Sequence, residues 1–186
     1  MSDQKQAEEA VRSLISWAGD NVEREGLCET PQRVVQAYQE FFSGYAQDPH
    51  TILEQSFSEV EGYQDIVLLQ KVPFYSHCEH HMIPFFGFAD IAYIPHQRIV
   101  GFSRLIRVLE SYSRRLQVQE RLTQQVAQVI QDVLQPKGVA VSLQAEHLCM
   151  SMRGIRQHGV QVKTNSFCGD FQDERQQARF FRMLDR

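Results

Sequence analysis

The chain has 186 residues, of which 42% are hydrophobic and 23% are charged, and its 10 Gly and 6 Pro are near the average for folded proteins. This composition predicts one good-sized globular core and excludes the disordered and collagen-like classes. A formal net charge of −4 and the absence of any run of about 18 apolar residues argue against nucleic-acid and membrane partners.

Two helices are predicted at the start of the chain. Apolar residues recur at helical spacing over residues 4–18. Thr30 and Pro31 are typical of a helix start, and the second helix should end before Gly44. The segment 48–64 gives mixed signals and receives no assignment.

The rest of the chain alternates pairs of strands with pairs of helices. In chain order we predict strands at 66–75 and 85–95, helices at 102–116 and 117–135, strands at 138–152 and 160–171, and a closing helix at 173–184. Because the strands within a pair are joined by short connections, this order favours an α+β fold over a doubly wound parallel sheet. We therefore expect an antiparallel sheet with paired helices on one face.

Cysteine and histidine residues form the main candidate site. The N-terminal sequence MSDQKQAEEAVRS contains no apolar leader segment, which predicts a cytoplasmic protein. In that compartment the four cysteines should be metal ligands, catalytic thiols or buried side chains rather than disulfides. The spacing of Cys78 and His81 lets one turn of loop direct both at a single cation. His147 and Cys149 are two apart in a predicted strand and should face the same side. Two such pairs on separate elements suit Zn²⁺.

The number of ligands is left open by the spacing. Since the neighbours His80 and His81 should not converge on one ion, Cys78, His81 and Cys149 could bind a metal and leave one position open. His80 and His147 would then be available as proton donors and acceptors. Alternatively, Cys78, His81, His147 and Cys149 could close a structural Cys2His2 site.

Charged residues offer a second set of candidates. Glu120 lies at the start of a predicted helix, where an acidic side chain is favourable even without a ligand. If it lies in a pocket, its carboxylate could instead accept two N–H donors from one edge of a base. Guanidinium groups match phosphate oxygens, although any single arginine can equally be a solvated surface charge. The arginines that could surround a polyanion are Arg33, Arg104, Arg107 and Arg153.

The chain resembles the GTP cyclohydrolase I family. The resemblance is carried, in the same order, by EGLCETPQRV, SHCEHHMIPFFG, AYIP, RRLQVQERLT and AEHLCMSMRG, and it extends from residue 25 to about 171. It implies a tunnelling fold (T-fold) with an N-terminal helical arm at 1–47 and a catalytic domain at 48–186. It also implies a toroidal homodecamer with active sites at subunit junctions, and conversion of GTP to 7,8-dihydroneopterin triphosphate and formate, the entry to folate or pterin synthesis.

The resemblance also implies roles for individual residues. The implied zinc ligands are Cys78, His81 and Cys149, and the implied acid/base residues are His80 and His147. The implied guanine-binding residues are Gln119 and Glu120. Phosphate contacts are implied for Arg33, Arg104, Arg107 and Arg153, with Ser103 lining the site.

Three departures from the family pattern concern phosphate handling and the late strand. Arg104 and Gln36 stand where the family usually has lysine, and residues 159–164 replace the usual G-S-x-T-x-T stretch. Gln36 removes a cation, and Lys163, next to Thr164, is the one nearby residue that could substitute for it.

Two other functions compete with this interpretation. One is a non-catalytic, zinc-stabilised ligand-binding or regulatory paralogue that keeps the fold. The other is an NADPH-dependent deazaguanine nitrile reductase of the same fold superfamily, which the three-ligand zinc set disfavours. Cys28 and Cys168 match no functional position of the family, so we expect them to be structural.

Overall fold

The structure is a computed structural model that describes residues 4–54 and 62–184. The chain divides into two compact units between Ser43 and Gly44. In the first unit, helices α1 (Gln4–Trp17) and α2 (Thr30–Phe41) pack against each other, and Pro31 lies in the first turn of α2. Both predicted N-terminal helices are therefore confirmed.

The second unit contains five strands and five helices within the described residues. They are α3 (Pro49–Glu54), β1 (Val67–Cys78), β2 (Pro84–Ile94), α4 (Phe102–Ser113), β3 (Leu116–Gln117), α5 (Gln119–Leu134), β4 (Gly138–His147), α6 (Leu148–Ser151), β5 (Gln161–Gly169) and α7 (Glu174–Leu184). Of the unassigned segment 48–64, residues 55–61 lie outside the described residues. None of the described helices has both the length and the apolar character that crossing a lipid bilayer requires.

The strands form one sheet in the order β3-β1-β2-β4-β5. The four long strands are antiparallel to their neighbours, which confirms the predicted α+β class and the predicted strand arrangement. The two-residue strand β3 adds a parallel edge, because Leu116 and Gln117 pair with His77 and Cys78. A two-residue strand is too short to show a hydrophobic periodicity, so the sequence does not predict β3.

The main core lies between the sheet and the helices α4 and α5. Alternate residues of β2 and β4 point into it, as the two-residue period of a strand requires. Buried contributors include Ile91, Tyr93, Val139, Val141, Leu109 and Val126. The intervening residues Ala92 and Ala140 face a smaller core on the opposite side of the sheet, where Phe180 of α7 packs. Helices α4 and α5 therefore cover one face of the sheet, and the candidate site lies at the ends of the strands.

The predicted strand at 138–152 is wrong beyond residue 147. Strand β4 ends at His147, whose partner Phe85 is the second residue of β2. Pro84 begins β2 and has no backbone N–H to extend the ladder, so the chain after His147 turns into the one-turn helix α6. Conversely, β1 runs to Cys78, three residues past the predicted end, because β2 and β3 both pair with it there.

Candidate metal and acid–base site

Three potential metal ligands converge at one end of the sheet. Cys78 ends β1, His81 lies in the turn that follows, and Cys149 lies in α6. Their ligand atoms all lie within 4.8 Å of one another, and they are the only group of three or more such residues in the part of the chain that the structure describes. Cys78 is buried, Cys149 half-buried and His81 exposed. We call these residues the Cys–His–Cys cluster.

The turn after β1 folds back on itself through backbone hydrogen bonds. The Cys78 amide donates to the Ile83 carbonyl (2.9 Å), and the Met82 amide donates to the Cys78 carbonyl (2.8 Å). Met82 takes a left-handed conformation (φ 54°), which reverses the chain within a few residues. This reversal brings His81 back beside Cys78.

The expectation that His147 and Cys149 face the same side of a strand is wrong, because the strand ends between them. Cys149 joins the Cys–His–Cys cluster from α6. His147 lies outside that cluster, and its Nε2 is 2.8 Å from Oε1 of Gln119. The alternative of a closed Cys2His2 site therefore does not form among the described residues.

The electrostatics of the two sulfurs suit a bound cation. Burial raises the pKa of the Cys149 thiol, and the neighbouring Cys78 raises that pKa further. Two adjacent thiolates are disfavoured without a positive charge between them, and a metal ion supplies that charge and drives deprotonation. Two sulfurs and one imidazole are a soft donor set, so the cluster fits a metal ion and leaves a coordination position open.

The imidazole of His147 is half-buried and lies against an aromatic ring. Its ring stacks on Phe85 with a centroid distance of 4.5 Å and an interplanar angle of 2°. Burial lowers the pKa of His147, and the Glu120 carboxylate opposes that shift in part. The neutral form is therefore favoured in the protein more than in water.

His80 has a different environment from His147. It is exposed, and its Nδ1 lies 3.6 Å from Sγ of Cys78. The rings of His80 and His81 diverge, with centroids 6.3 Å apart and planes at 76°. Of this pair, His81 belongs to the Cys–His–Cys cluster and His80 does not.

The two residues at the start of α5 also differ. Gln119 is 1% exposed, and its Nε2 donates to the backbone carbonyls of Leu143 (3.2 Å) and Val162 (3.0 Å). Glu120 follows it in the first turn of α5 and is exposed. Its carboxylate is close enough to influence the pKa of His147, so Glu120 borders the same site from the solvent side.

Of the predicted phosphate contacts that belong to the second unit, Arg153 is the one that the structure shows beside the Cys–His–Cys cluster. Its Nη1 lies 3.5 Å from Nε2 of His81. Arg104 donates to the Ile52 carbonyl (2.8 Å). Arg107 lines a groove of about 500 Å³ beside α3, and Ser103 is exposed in the first turn of α4. Arg33 lies in the first unit, where it pairs with Glu29.

The start of α4 is remote from the cluster within one chain. The cluster adjoins β3, which follows the end of α4, whereas Ser103 and Arg104 are at the beginning of that helix. A helix rises 1.5 Å per residue, so the ten residues from Ser103 to Ser113 place the two ends of α4 about 15 Å apart.

Lys163 does not lie on the face of the sheet that carries Gln119. Thr164 hydrogen-bonds to Gln119 and Thr123 on the helix side. Lys163, one residue earlier, lines a groove with Lys71 on the opposite side.

Sequence reasoning missed a support for the turn that carries His80 and His81. Arg121, for which the sequence predicts no role, forms an ion pair with Glu79 inside that turn. Its Nε also donates to Oε1 of Gln117 (3.1 Å), and the Gln117 carbonyl accepts from the Glu79 amide (2.9 Å). The spacing of Gln117 and Arg121 fits one helix face, but no local pattern links either residue to Glu79.

The fold and the site together define an α+β protein with a three-donor cluster that fits a metal ion and a half-buried imidazole stacked on Phe85. The family model described as GTP cyclohydrolase I matches residues 7–185. GTP cyclohydrolase 1 of Sinorhizobium fredii is 53% identical over 182 residues, covering 97% of this chain and 89% of that protein. The protein of the same name from Brucella suis is 51% identical over 180 residues, covering 96% and 84%. The chain belongs to the GTP cyclohydrolase I family.

One solved structure gives a weaker likeness. The apo form of an archaeosine synthase QueF-Like aligns with a TM-score of 0.45 and 19% identity, covering 56% of this chain and 93% of that chain. A likeness at this level has no bearing on activity.

Proposed function

We propose that this protein is a zinc-dependent enzyme that converts GTP to 7,8-dihydroneopterin triphosphate and formate. The observation that carries the proposal is the Cys–His–Cys cluster, whose three ligands would leave one position of a tetrahedral metal ion for a water molecule. Family membership over nearly the whole chain supports GTP as the substrate.

The donor set supports zinc as the metal. Cys78 and Cys149 would supply thiolates and His81 an imidazole, the ligand types that Zn²⁺ prefers in tetrahedral sites. Zn²⁺ held there would lower the pKa of a water ligand towards neutrality and so provide a nucleophile for C8 of the purine.

The two remaining histidines would handle protons. C8 becomes electrophilic when N7 of the purine is protonated, and His147 is the proposed donor of that proton. Burial, which lowers the pKa of His147, makes its cationic form the stronger acid. His80, exposed beside Cys78, would serve the later proton transfers that accompany ring opening and formate release.

Glu120 is the proposed specificity residue. Its exposed carboxylate borders the site next to His147, where it can accept hydrogen bonds from N1–H and the exocyclic amine of guanine. Adenine lacks that donor pair, so the carboxylate would be left unpaired by ATP.

We further propose that the working enzyme is a homo-oligomer, a homodecamer by resemblance. Within one chain, Ser103 and Arg104 are about 15 Å of helix away from the end of α4 that adjoins the cluster. A second copy that brings its own α4 to the cluster would complete the triphosphate site. In this proposal residues 1–47 form the helical arm and residues 48–186 the catalytic domain.

A pterin assay tests the proposal against its main rival. Protein supplied with zinc and GTP should produce a fluorescent pterin after oxidation of the product, together with one formate for each GTP consumed. A non-catalytic paralogue would bind GTP or zinc and release neither product. That second outcome would overturn the proposed function.

A further inference from the structure

A chain of hydrogen bonds runs through the start of α5 and ends on His147. Its central member is the buried side chain of Gln119, whose Nε2 faces the carbonyl oxygens of Leu143 (3.2 Å) and Val162 (3.0 Å). Carbonyl oxygens only accept hydrogen bonds, so the group that faces them must be the amide NH2. The flipped orientation of the amide is excluded, because it would place three oxygens together.

The threonines beside Gln119 agree with this orientation. Oγ1 of Thr123 lies 2.7 Å from the backbone carbonyl of Gln119 and donates its single proton there. Thr164, 2.6 Å from Thr123, must then donate to Thr123, which leaves a lone pair on Thr164 for Nε2 of Gln119 at 3.1 Å. The hydrogen bonds of both threonines are therefore consistent with an NH2 group at Nε2 of Gln119.

The same reasoning fixes the proton on His147. Oε1 of Gln119 can only accept, and it lies 2.8 Å from Nε2 of His147, so Nε2 must carry a hydrogen. The parallel Phe85 ring holds the imidazole plane in place. In a neutral imidazole with Nε2–H, Nδ1 bears the lone pair. No described residue hydrogen-bonds to Nδ1 of His147, so this nitrogen is left for a ligand.

We propose that Gln119 is a positioning residue that holds His147 as the Nε2–H tautomer, and that Nδ1 is the nitrogen with which His147 exchanges a proton with the substrate. This inference rests on the proposed function and deepens it. It departs from the guanine-binding role that the resemblance implies for the Gln119 side chain. That amide is fully used, because its donors face protein acceptors and its oxygen is taken by His147.

The test compares two glutamine-to-methionine substitutions on α5. Gln119→Met keeps the length of the side chain and removes the acceptor for His147. Gln131→Met is the matched control, since Nε2 of Gln131 also donates to a backbone carbonyl, that of Pro136 (3.2 Å), far along the same helix. Turnover is measured on zinc-loaded protein, and the Kd for GTP is measured on metal-free protein.

We expect Gln119→Met to lower kcat on the order of 10²-fold, as loss of a correctly oriented acid/base does, with a Kd for GTP changed by less than about threefold. Gln131→Met should change neither value. A Gln119→Met protein with parental kcat and a Kd raised at least tenfold would overturn the inference and restore Gln119 as a guanine ligand.

A measurement on the parent protein decides the tautomer even if Gln119→Met fails to fold. In protein labelled with ¹⁵N-histidine, His147 is assigned by the signals lost in His147→Gln, and we expect a resolved, slowly exchanging ring proton on Nε2. A ring proton on Nδ1 would overturn the inference. If the parent makes no pterin from GTP, the proposed function fails, and the nitrogen signals still report the tautomer independently.

Discussion

The two histidines outside the Cys–His–Cys cluster occupy opposite environments. His147 is stacked on Phe85 and hydrogen-bonded to Gln119, whereas His80 is exposed beside the Cys78 sulfur. Neither belongs to the group whose ligand atoms lie within 4.8 Å of one another. Loss of either imidazole should therefore affect proton transfer, whereas loss of a cluster member should affect metal binding.

The first prediction separates these two roles. Cys78→Ser and Cys149→Ser should each lose both zinc and activity, because each removes one of three ligands. His147→Ala should keep its zinc and lose rate by on the order of 10²-fold or more. Elemental analysis of the purified variants checks this assignment. Zinc-free His147→Ala protein alongside fully loaded Cys149→Ser protein would show that the ligands are assigned wrongly.

The second prediction concerns base recognition by Glu120. Since this carboxylate is proposed to pair with two guanine donors, the parent should discriminate against ATP by roughly 10⁴-fold, and Glu120→Gln should greatly weaken GTP binding. Glu174→Gln is the control, because it removes an acid from the first turn of a different helix, α7. Equal GTP affinity in the two variants would leave Glu120 as an ordinary helix-start acid.

The site residues differ in how well the sequence reveals them. Cys78 and His81 are found because both ligands lie within one turn of chain. The bond between Gln119 and His147 joins residues 28 apart, and the Glu79–Arg121 pair joins residues 42 apart, so neither leaves a local pattern. The structure was needed to show that Gln119 is buried and that Arg121 pairs with Glu79.

At the scale of elements, the site depends on where two strands stop. The positions of the long strands and helices follow from periodicity, because each buried face repeats along its own segment. The ends of β1 and β4 do not follow from periodicity. They are set by pairing with β2, which begins at Pro84 opposite His77. That register places Cys149 in α6 rather than in a strand, and so directs it to the cluster.

The third prediction tests whether the ion pair between Arg121 of α5 and Glu79 stabilises the turn that contains His81. Arg121 is anchored by Gln117 and pairs with Glu79, so it braces the backbone between the proposed ligands Cys78 and His81. Because this ion pair is partly exposed and worth up to about 1 kcal/mol, Arg121→Met should lower zinc affinity by up to roughly fivefold. Competition with a zinc chelator of known affinity gives the measurement.

A matched control for Arg121→Met is available elsewhere in the second unit. The guanidinium of Arg98 donates to the carbonyls of Val133 (3.2 Å) and Glu54 (3.1 Å), so Arg98→Met also removes a bridging arginine. Arg98→Met should leave zinc affinity unchanged. Equal zinc affinity in Arg121→Met and the parent would mean that Arg121 has no part in holding the turn.

At the scale of the whole molecule, a single chain carries the parts of the proposed site at separate places. The Cys–His–Cys cluster and Arg153 lie together, whereas Arg104 and Arg107 lie on α4 beside α3. The periodicity of apolar residues and the spacing of motif residues describe a single chain. They do not predict which surfaces of two copies are in contact. Oligomer formation is therefore the part of the account for which the sequence offers only a family resemblance.

The fourth prediction tests a site shared between chains. Cys149→Ser and Arg107→Ala proteins should each be nearly inactive, and subunits mixed by unfolding and refolding together should regain activity. If random assembly pairs one chain's metal ligands with another chain's α4, roughly a quarter of the sites in an equal mixture are intact. A mixture of Cys78→Ser with Cys149→Ser should recover nothing, because both changes damage the same part of the site. No recovery in the first mixture would place α4 and the cluster of one chain in the same site.

The central claim is that a metal held by the Cys–His–Cys cluster is required to open GTP. The most direct test strips the protein of metal, adds zinc in measured steps and follows pterin formation from GTP after each addition. We predict no activity at the start, a linear rise, and a plateau at one zinc for each chain, with Cys149→Ser flat throughout. Full activity in the metal-free protein, or equal zinc activation of Cys149→Ser, would contradict the account.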